Sequence, residues 1–324
     1  MTATVTVRAG TSGRAAGLPF LLRPIAWVGA STIGIIAYCG GVAMLVLSAA
    51  VSVVSVSRDD DAPGFWGTLK AELGWLLFMG VPLVGLAHVG MGSFLSMQAY
   101  FGSTFVDGTG AVVGVGLLRN VASMVTGLSL SGLIACRIIS ERLGTCHQVE
   151  EGGGLARHDP PGLVPPDGDL LAPIHPGRLA APRLVACGLA MMLLSLWGFF
   201  VGTFIGWQAA EALMGLSTKI FFLMFYQMIW FRDVVGLIVK GLLFGLMTAA
   251  ICCFESLRAG ATTSGEALGN NAGLNPGTDD LSGRIVRATC LSMVAILILN
   301  MTWFILIYHA VPVYGPSLLQ PPSP

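Results

Sequence analysis

Between Arg23 and Arg58 the chain contains no Asp, Glu, Lys or Arg, and the same holds from Glu72 to Asp107. Uncharged stretches also separate Arg119 from Arg137 and Arg183 from Glu211. Asp233 to Glu255 encloses only Lys240, and nothing after Arg287 is charged. Crossing the hydrocarbon core takes roughly 20 apolar residues in a helix. Each of these runs is long enough to cross or to lie embedded. Their unbroken apolar character argues against barrel strands, which must alternate.

Composition points the same way. Of 324 residues, 54% are apolar and 10% charged, against about 25% charged in a soluble domain. Mean hydropathy is +0.78. One soluble core cannot hide that much apolar surface, so a large cytosolic enzyme is excluded. The 17 basic and 17 acidic residues cancel, which leaves no electrostatic footprint for a nucleic-acid partner. The seven cysteines form no CxxC, and all but Cys146 lie in apolar runs. They read as small buried hydrophobes, with no disulfide framework and no metal site.

The expected fold is an all-α integral membrane protein. Helical segments are placed at 24–56, 75–101, 110–140, 181–210, 234–257 and 286–312, with the first embedded without crossing and five transmembrane helices after it. By domains, 1–23 is a cytoplasmic N-terminal tail and 24–62 a membrane-embedded or interfacial helix. The core domain is 63–312, interrupted by a Pro/Gly-rich cytoplasmic insertion at about 152–178, and 313–324 is a C-terminal tail. The piece around 217–231 is too short to span easily and reads either as an interfacial or re-entrant helix or as an extension of a neighbour. Arginines in 141–183 and 258–287 place both polar loops, and the N-terminus, on the cytoplasmic side.

No catalytic engine is visible. Lys70, Lys219 and Lys240 lack the glycines and the following Ser/Thr of a phosphate-cradling loop, and no HExxH or GxSxG occurs. The chain is therefore expected not to be an enzyme and to hold no cofactor. Ionisable residues inside the apolar runs are the better clue, since each costs at least ~2.5 kcal/mol at mid-membrane unless paired or hydrated. Arg119, Arg137, Asp233 and Lys240 qualify. Asp233 and Lys240 are two helical turns apart and share a face. They mark a polar cavity or a contact within the bundle, or else they snorkel from span ends. Small residues in 127–135 and 236–245 allow close helix approach.

Val81-Pro82-Leu83, Arg119-Asn120, Ala181-Pro182-Arg183, Asp233-Val234 with Lys240-Gly241, and Leu299-Asn300 follow in an order by which the chain from Val81 to Ile307 resembles the MlaE/YrbE permeases, the membrane subunits of MCE-type lipid ABC transporters. Val81-Pro82-Leu83 opens a span that closes in Leu95-Ser96-Met97-Gln98. Arg119-Asn120-Val121 through Thr126-Gly127-Leu128 is similar to the family's R-E-L-G-P-V-L-T-x-L. Arg142-Leu143-Gly144-Thr145 opens the cytoplasmic segment that reaches Glu150, Glu151 and Leu155, and Ala181-Pro182-Arg183-Leu184 matches V-P-R-x-L. Asp233-Val234 through Lys240-Gly241 to Phe244-Gly245 resembles D-L-x-x-G-L-x-K-S-x-x-F-G. Cys253-Phe254 and Leu299-Asn300 through Thr302 follow in family order. Three departures stand out: Asn120 and Asn300 occupy positions where the family has acids, and Gly152–Gly154 replace the centre of the cytoplasmic segment.

The resemblance implies a permease subunit in the bacterial inner membrane that moves phospholipid or a related lipid. Its partners would be an ABC ATPase carrying ATP and Mg, a periplasmic MCE-domain protein and a second permease copy. Gln98, Arg119 and Asn120 become lipid-cavity candidates, Arg119 facing a phosphate. Gly144, Thr145, Glu150, Glu151 and Leu155 become ATPase-coupling candidates, and Asp233, Lys240 and Asn300 the intramembrane polar set. The competing expectations are a non-transporting scaffold that kept the fold, and an unrelated helical channel or carrier. The lack of an acidic relay counts against a carrier.

Overall fold

The computed structural model describes residues 23–56, 63–102, 109–151, 176–266 and 277–309. The helices are α1 (Arg23–Val56), α2 (Pro63–Gly102), α3 (Thr109–Gly116), α4 (Ala122–Glu151), α5 (Pro176–Met214), α6 (Thr218–Met228), α7 (Phe231–Glu266) and α8 (Gly277–Phe304). A π-helical turn, Leu117–Val121, joins α3 to α4, and another, Ile305–His309, follows α8. No strand occurs among the described residues. Among the described residues, six helical stretches are long and apolar enough to cross a membrane. The chain is an all-α integral membrane protein.

The chain forms two compact units, one ending at Met44 and one beginning at Leu45. The described part of the first is the N-terminal portion of α1, where Ile33, Ile35, Ile36 and Met44 are exposed. The second unit holds the rest. There α4, α5 and α7 are about half buried, whereas α2 and α8 turn much apolar surface outward. Among those exposed side chains are Phe78, Leu86, Phe94 and Phe101 on α2, and Val294, Ile298 and Met301 on α8. Such side chains suit hydrocarbon as a solvent.

Glycines explain why α5 is central. On its α2 side, a Cβ on Gly92 would lie 2.3 Å from the Gly202 carbonyl oxygen, so the two backbones touch. The Ser96 hydroxyl locks that approach by donating to the Gly206 carbonyl at 2.8 Å. On its α7 side, Gly245 meets the Cys187 carbonyl and Gly241 meets Met192 backbone. Small residues permit close helix approach in membranes, where packing must replace the hydrophobic drive. The expected 236–245 contact is thus present, and on its opposite side α5 sets Gly198, Gly202 and Gly206, at four-residue spacing, against α2, α3 and the π-turn.

Helix ends have local causes. Gly215 stops α5 with φ +64°, its N–H bonding the Glu211 carbonyl at 3.0 Å, a left-handed cap that glycine adopts without strain. The chain then makes α6, a separate eleven-residue helix and no extension of a neighbour. Phe221 and Phe225 on α6 are buried against α3, whose Gly110 and Gly114 leave room for the Phe221 backbone and the Phe225 ring. Pro82 sits inside α2, and beside it the exposed Trp197 indole donates to the Val81 carbonyl at 3.2 Å. α4 is described as far as Glu151.

Several boundaries differ from those read in the sequence. α2 begins at Pro63, twelve residues earlier than the charge map suggests, because Glu72 is paired inside the bundle (below). The third segment is α3, a π-turn and α4, and α4 runs on to Glu151. Of the cysteines, Cys187, Cys252 and Cys253 are buried as expected, but Cys39, Cys136 and Cys290 are exposed on helix surfaces that face outward. Residues 1–22, 152–175 and 310–324, and with them most of the expected tails and insertion, lie outside the described residues.

Candidate functional site

The π-turn is the local feature that builds the site. A π-turn shifts the hydrogen-bond register of a helix, and here the Ala122 N–H reaches back to the Leu117 carbonyl. The turn presents two polar residues side by side, Arg119 and Asn120. Each finds a partner on a different helix.

Arg119 Nη2 lies 3.1 Å from Asp233 Oδ2. The Asp233 side chain is 1% exposed and that of Arg119 28% exposed. Asp233 stands in the first turn of α7, where a carboxylate is favoured by the free N–H groups. It accepts from the Trp230 N–H at 3.3 Å, which closes the break between α6 and α7. Two turns further, the Lys240 ammonium donates to the main-chain carbonyl of Arg119. Lys240 is 1% exposed and among the largest fully buried side chains. Asp233 and Lys240 therefore do not snorkel: both turn inward and hold the π-turn from one face of α7.

Asn120 pairs with α8. The Asn300 amide donates to Asn120 Oδ1 and lies 3.8 Å from the Met124 sulfur. Asn300 is buried and Asn120 exposed. Five of the residues singled out in the sequence, Arg119, Asn120, Asp233, Lys240 and Asn300, thus gather at one level of the bundle. Gln98 does not join them; it lies exposed on α2 outside these contacts. Gly144, Thr145, Glu150 and Glu151 fall in the closing turns of α4, and Leu155 lies outside the described residues.

A second polar level was not assembled from the sequence. Arg137 Nε and Arg183 Nε each lie 3.5 Å from one oxygen of Glu72. Glu141 takes Arg137 on one oxygen and Arg183 on the other, the latter at 2.9 Å. Arg137 also sits over the Trp75 ring, 4.9 Å from its centre. Nearby in the fold, Arg287 reaches Glu255 at 3.6 Å. The only local signal was the Arg137/Glu141 spacing of one helical turn; Glu72 and Arg183 come from distant sequence.

The two levels are opposite ends of one bundle. Arg119 and Arg137 stand eighteen positions apart on one helical rod, about 27 Å at 1.5 Å per residue, close to the ~30 Å hydrocarbon thickness. α2, α5 and α8 run from the Glu72/Arg183/Arg287 level outward; α4 and α7 return to it. Between the levels, His88 is buried, its Nδ1 2.8 Å from the Val84 carbonyl and its ring against Gly198. No group of three metal-binding side chains exists among the described residues.

Residues 173–306, which carry Asp233, Lys240 and Asn300, match the family model described as Permease MlaE. Over these residues the chain is similar to the MlaE permeases. Similar curated proteins extend the likeness toward the N-terminus. One, from Synechocystis sp., is 27% identical over 196 residues, covering 59% of this chain and 66% of the relative. Others, from Rickettsia typhi and Rickettsia bellii, are 23% and 21% identical and cover 66% and 74% of this chain, 78% and 85% of their own length. All three are described as probable ABC transporter permease proteins. The helix set makes the chain a multi-pass membrane protein, and its sequence is similar to that of ABC transporter permeases.

Proposed function

We propose that the chain is the permease subunit of an ATP-driven lipid transporter of the bacterial inner membrane. It works as a dimer with a second permease copy. Separate ATPase subunits, which carry the ATP and Mg, bind at the Glu72/Arg183 level, and an MCE-domain protein receives or delivers lipid at the Arg119 level. The N-terminus and the polar segments 141–183 and 258–287 lie on the cytoplasmic side, in keeping with their arginines. α1 rests in the inner leaflet. Residues 144–155 meet the ATPase.

One observation carries this reading. Among the described residues, the Arg119–Asp233–Lys240 group sets two cations against one carboxylate at one end of an apolar bundle. A surplus of positive charge at membrane depth is expensive without an anion. A phospholipid supplies both the anion and the tails: its phosphate accepts charge-assisted bonds from a guanidinium, and its acyl chains suit apolar walls. Arg119, the more open of the two cations, is the headgroup contact in this reading, with Asn120 beside it.

The test is recovery of the tagged chain from its native membrane in mild detergent, with identification of co-purifying proteins and extracted lipids. The expected eluate contains a P-loop ATPase, an MCE protein and phospholipid. The Arg119→Gln variant retains about a tenth of that phospholipid, one lost charge-assisted contact being worth about 1.5–3 kcal/mol. A well-folded chain that brings down neither protein leaves the scaffold reading in its place.

A further inference from the structure

Glu72, Arg137, Glu141 and Arg183 close a ring of alternating charge. Each carboxylate bridges both guanidinium groups, and each guanidinium bridges both carboxylates. The four residues come from three helices: Glu72 from α2, Arg137 and Glu141 from α4, Arg183 from α5. Arginine suits this place, because its planar fork can serve two carboxylates at once and keeps its charge. Trp75 adds a second grip of α2 on Arg137. Glu72 is buried, so the ring is more than a solvated surface pair.

Its position gives it a use. α2, α5 and α7 are joined backbone to backbone through Gly92, Gly202, Gly241 and Gly245, and so form one rigid slab. α4 packs on that slab through buried apolar side chains such as Leu130 and Ile134, and it is pinned by charge at the ring and, by way of the π-turn, at Arg119–Asp233. Beyond the ring, the α4 backbone continues helically from Glu141 to Glu151, about 15 Å further. Among the described side chains, the ring is the first grip on the slab that a force applied to that extension meets. It arrives at the π-turn only through α4.

We infer that the Glu72–Arg137–Glu141–Arg183 ring is the clamp that couples displacement of the α4 extension to the Arg119 end of the bundle. The four are positioning residues: they touch neither nucleotide nor lipid. The inference rests on the transporter reading above. With the ring intact, α4 and the slab move together when the ATPase pushes. With it broken, α4 slips and hydrolysis proceeds without moving lipid.

The experiment uses the complete complex, purified from its membrane and reconstituted in vesicles of phosphatidylethanolamine and phosphatidylglycerol with a fluorescent phospholipid. Lipid moved per ATP hydrolysed is the readout. For Glu141→Gln, hydrolysis stays within about twofold while lipid moved per ATP falls about tenfold, inside the usual range of coupling energies. Reversing all four charges together (Glu72→Arg, Arg137→Glu, Glu141→Arg, Arg183→Glu) restores the ratio. Arg183→Lys keeps the charge but loses the fork; it serves if Glu141→Gln fails to assemble, and lowers the ratio about threefold. A purely structural ring lowers hydrolysis and transport in proportion, and an unchanged ratio in Glu141→Gln or Arg183→Lys overturns the inference. If the wild-type complex moves no lipid with ATP, the transporter reading itself fails and the clamp falls with it, an outcome separate from an unchanged ratio.

Discussion

The Lys240 ammonium donates to the main-chain carbonyl of Arg119, while the Arg119 guanidinium pairs with Asp233 one helical stretch before Lys240. One residue of the π-turn is thus gripped twice by α7, once by its backbone and once by its side chain. The two grips differ in what their loss leaves behind. Asp233→Ala strands two cations in a buried setting, a change costing about 3–5 kcal/mol. Lys240→Met removes a buried charge together with its bond and leaves the Arg119–Asp233 pair intact; its cost is about 1–2 kcal/mol. Thermal unfolding of the purified chain in detergent checks the order. Lys240→Met proving the more damaging of the two contradicts the arrangement described.

The glycine contacts make a sharper forecast, because they come with an internal control. Gly92→Ala and Gly245→Ala each push a methyl group into a carbonyl of the facing helix, at 2.3 and 2.4 Å. Backbone cannot step aside as a side chain can, so each loses about 1–3 kcal/mol. Gly90, on the same helix as Gly92, has nothing within 4 Å of its added Cβ. Gly90→Ala is therefore neutral or stabilising by up to about 1 kcal/mol, the helix propensity gain. Equal melting temperatures for Gly90→Ala and Gly92→Ala contradict the backbone contact.

These contacts also mark what was legible beforehand. The helices were readable because charge-free runs advertise membrane burial residue by residue. Asp233 and Lys240 were readable as a shared face because their spacing is a property of one helix. Arg119 stood out because a charge interrupting an apolar run needs a partner, though the π-turn that presents it has no signature in LLRNV. The ring was not readable. Glu72 lies outside the expected span, and its partners Arg137 and Arg183 are connected to it only by the tertiary fold. Gln98 was drawn to Arg119 by resemblance; on α2 its side chain points outward, away from the π-turn contacts.

The orientation of the bundle is checkable without any assay of transport. In a chain whose seven native cysteines are replaced by serine or alanine, single cysteines are placed at His158, in the connection after α4, and at Ser217, exposed before α6. A membrane-impermeant maleimide added to intact spheroplasts is expected to label Ser217→Cys and not His158→Cys. Inside-out vesicles give the reverse. Labelling of both from one side sinks the assignment of α5 as a crossing helix, and an inverted pattern overturns the cytoplasmic placement of the ring.

Asn120 and Asn300 stand where the resembled family carries two acids, and here they bond to each other across α4 and α8. An amide pair satisfies both partners without charge, which is the cheaper arrangement in an apolar bundle. Either amide can turn to donate, so Asn300→Asp keeps a partner in Asn120 and is expected to lose no more than about 1 kcal/mol. Asn120→Asp with Asn300→Asp places two carboxylates in contact with no cation between them. The double variant is therefore expected to lose more than the sum of its parts, with an interaction of about 1–3 kcal/mol in a double-mutant cycle read by thermal unfolding at pH 8. Additive losses in that cycle show that Asn120 and Asn300 do not touch in the membrane-bound protein, and that α8 is held to α4 by its apolar side chains alone.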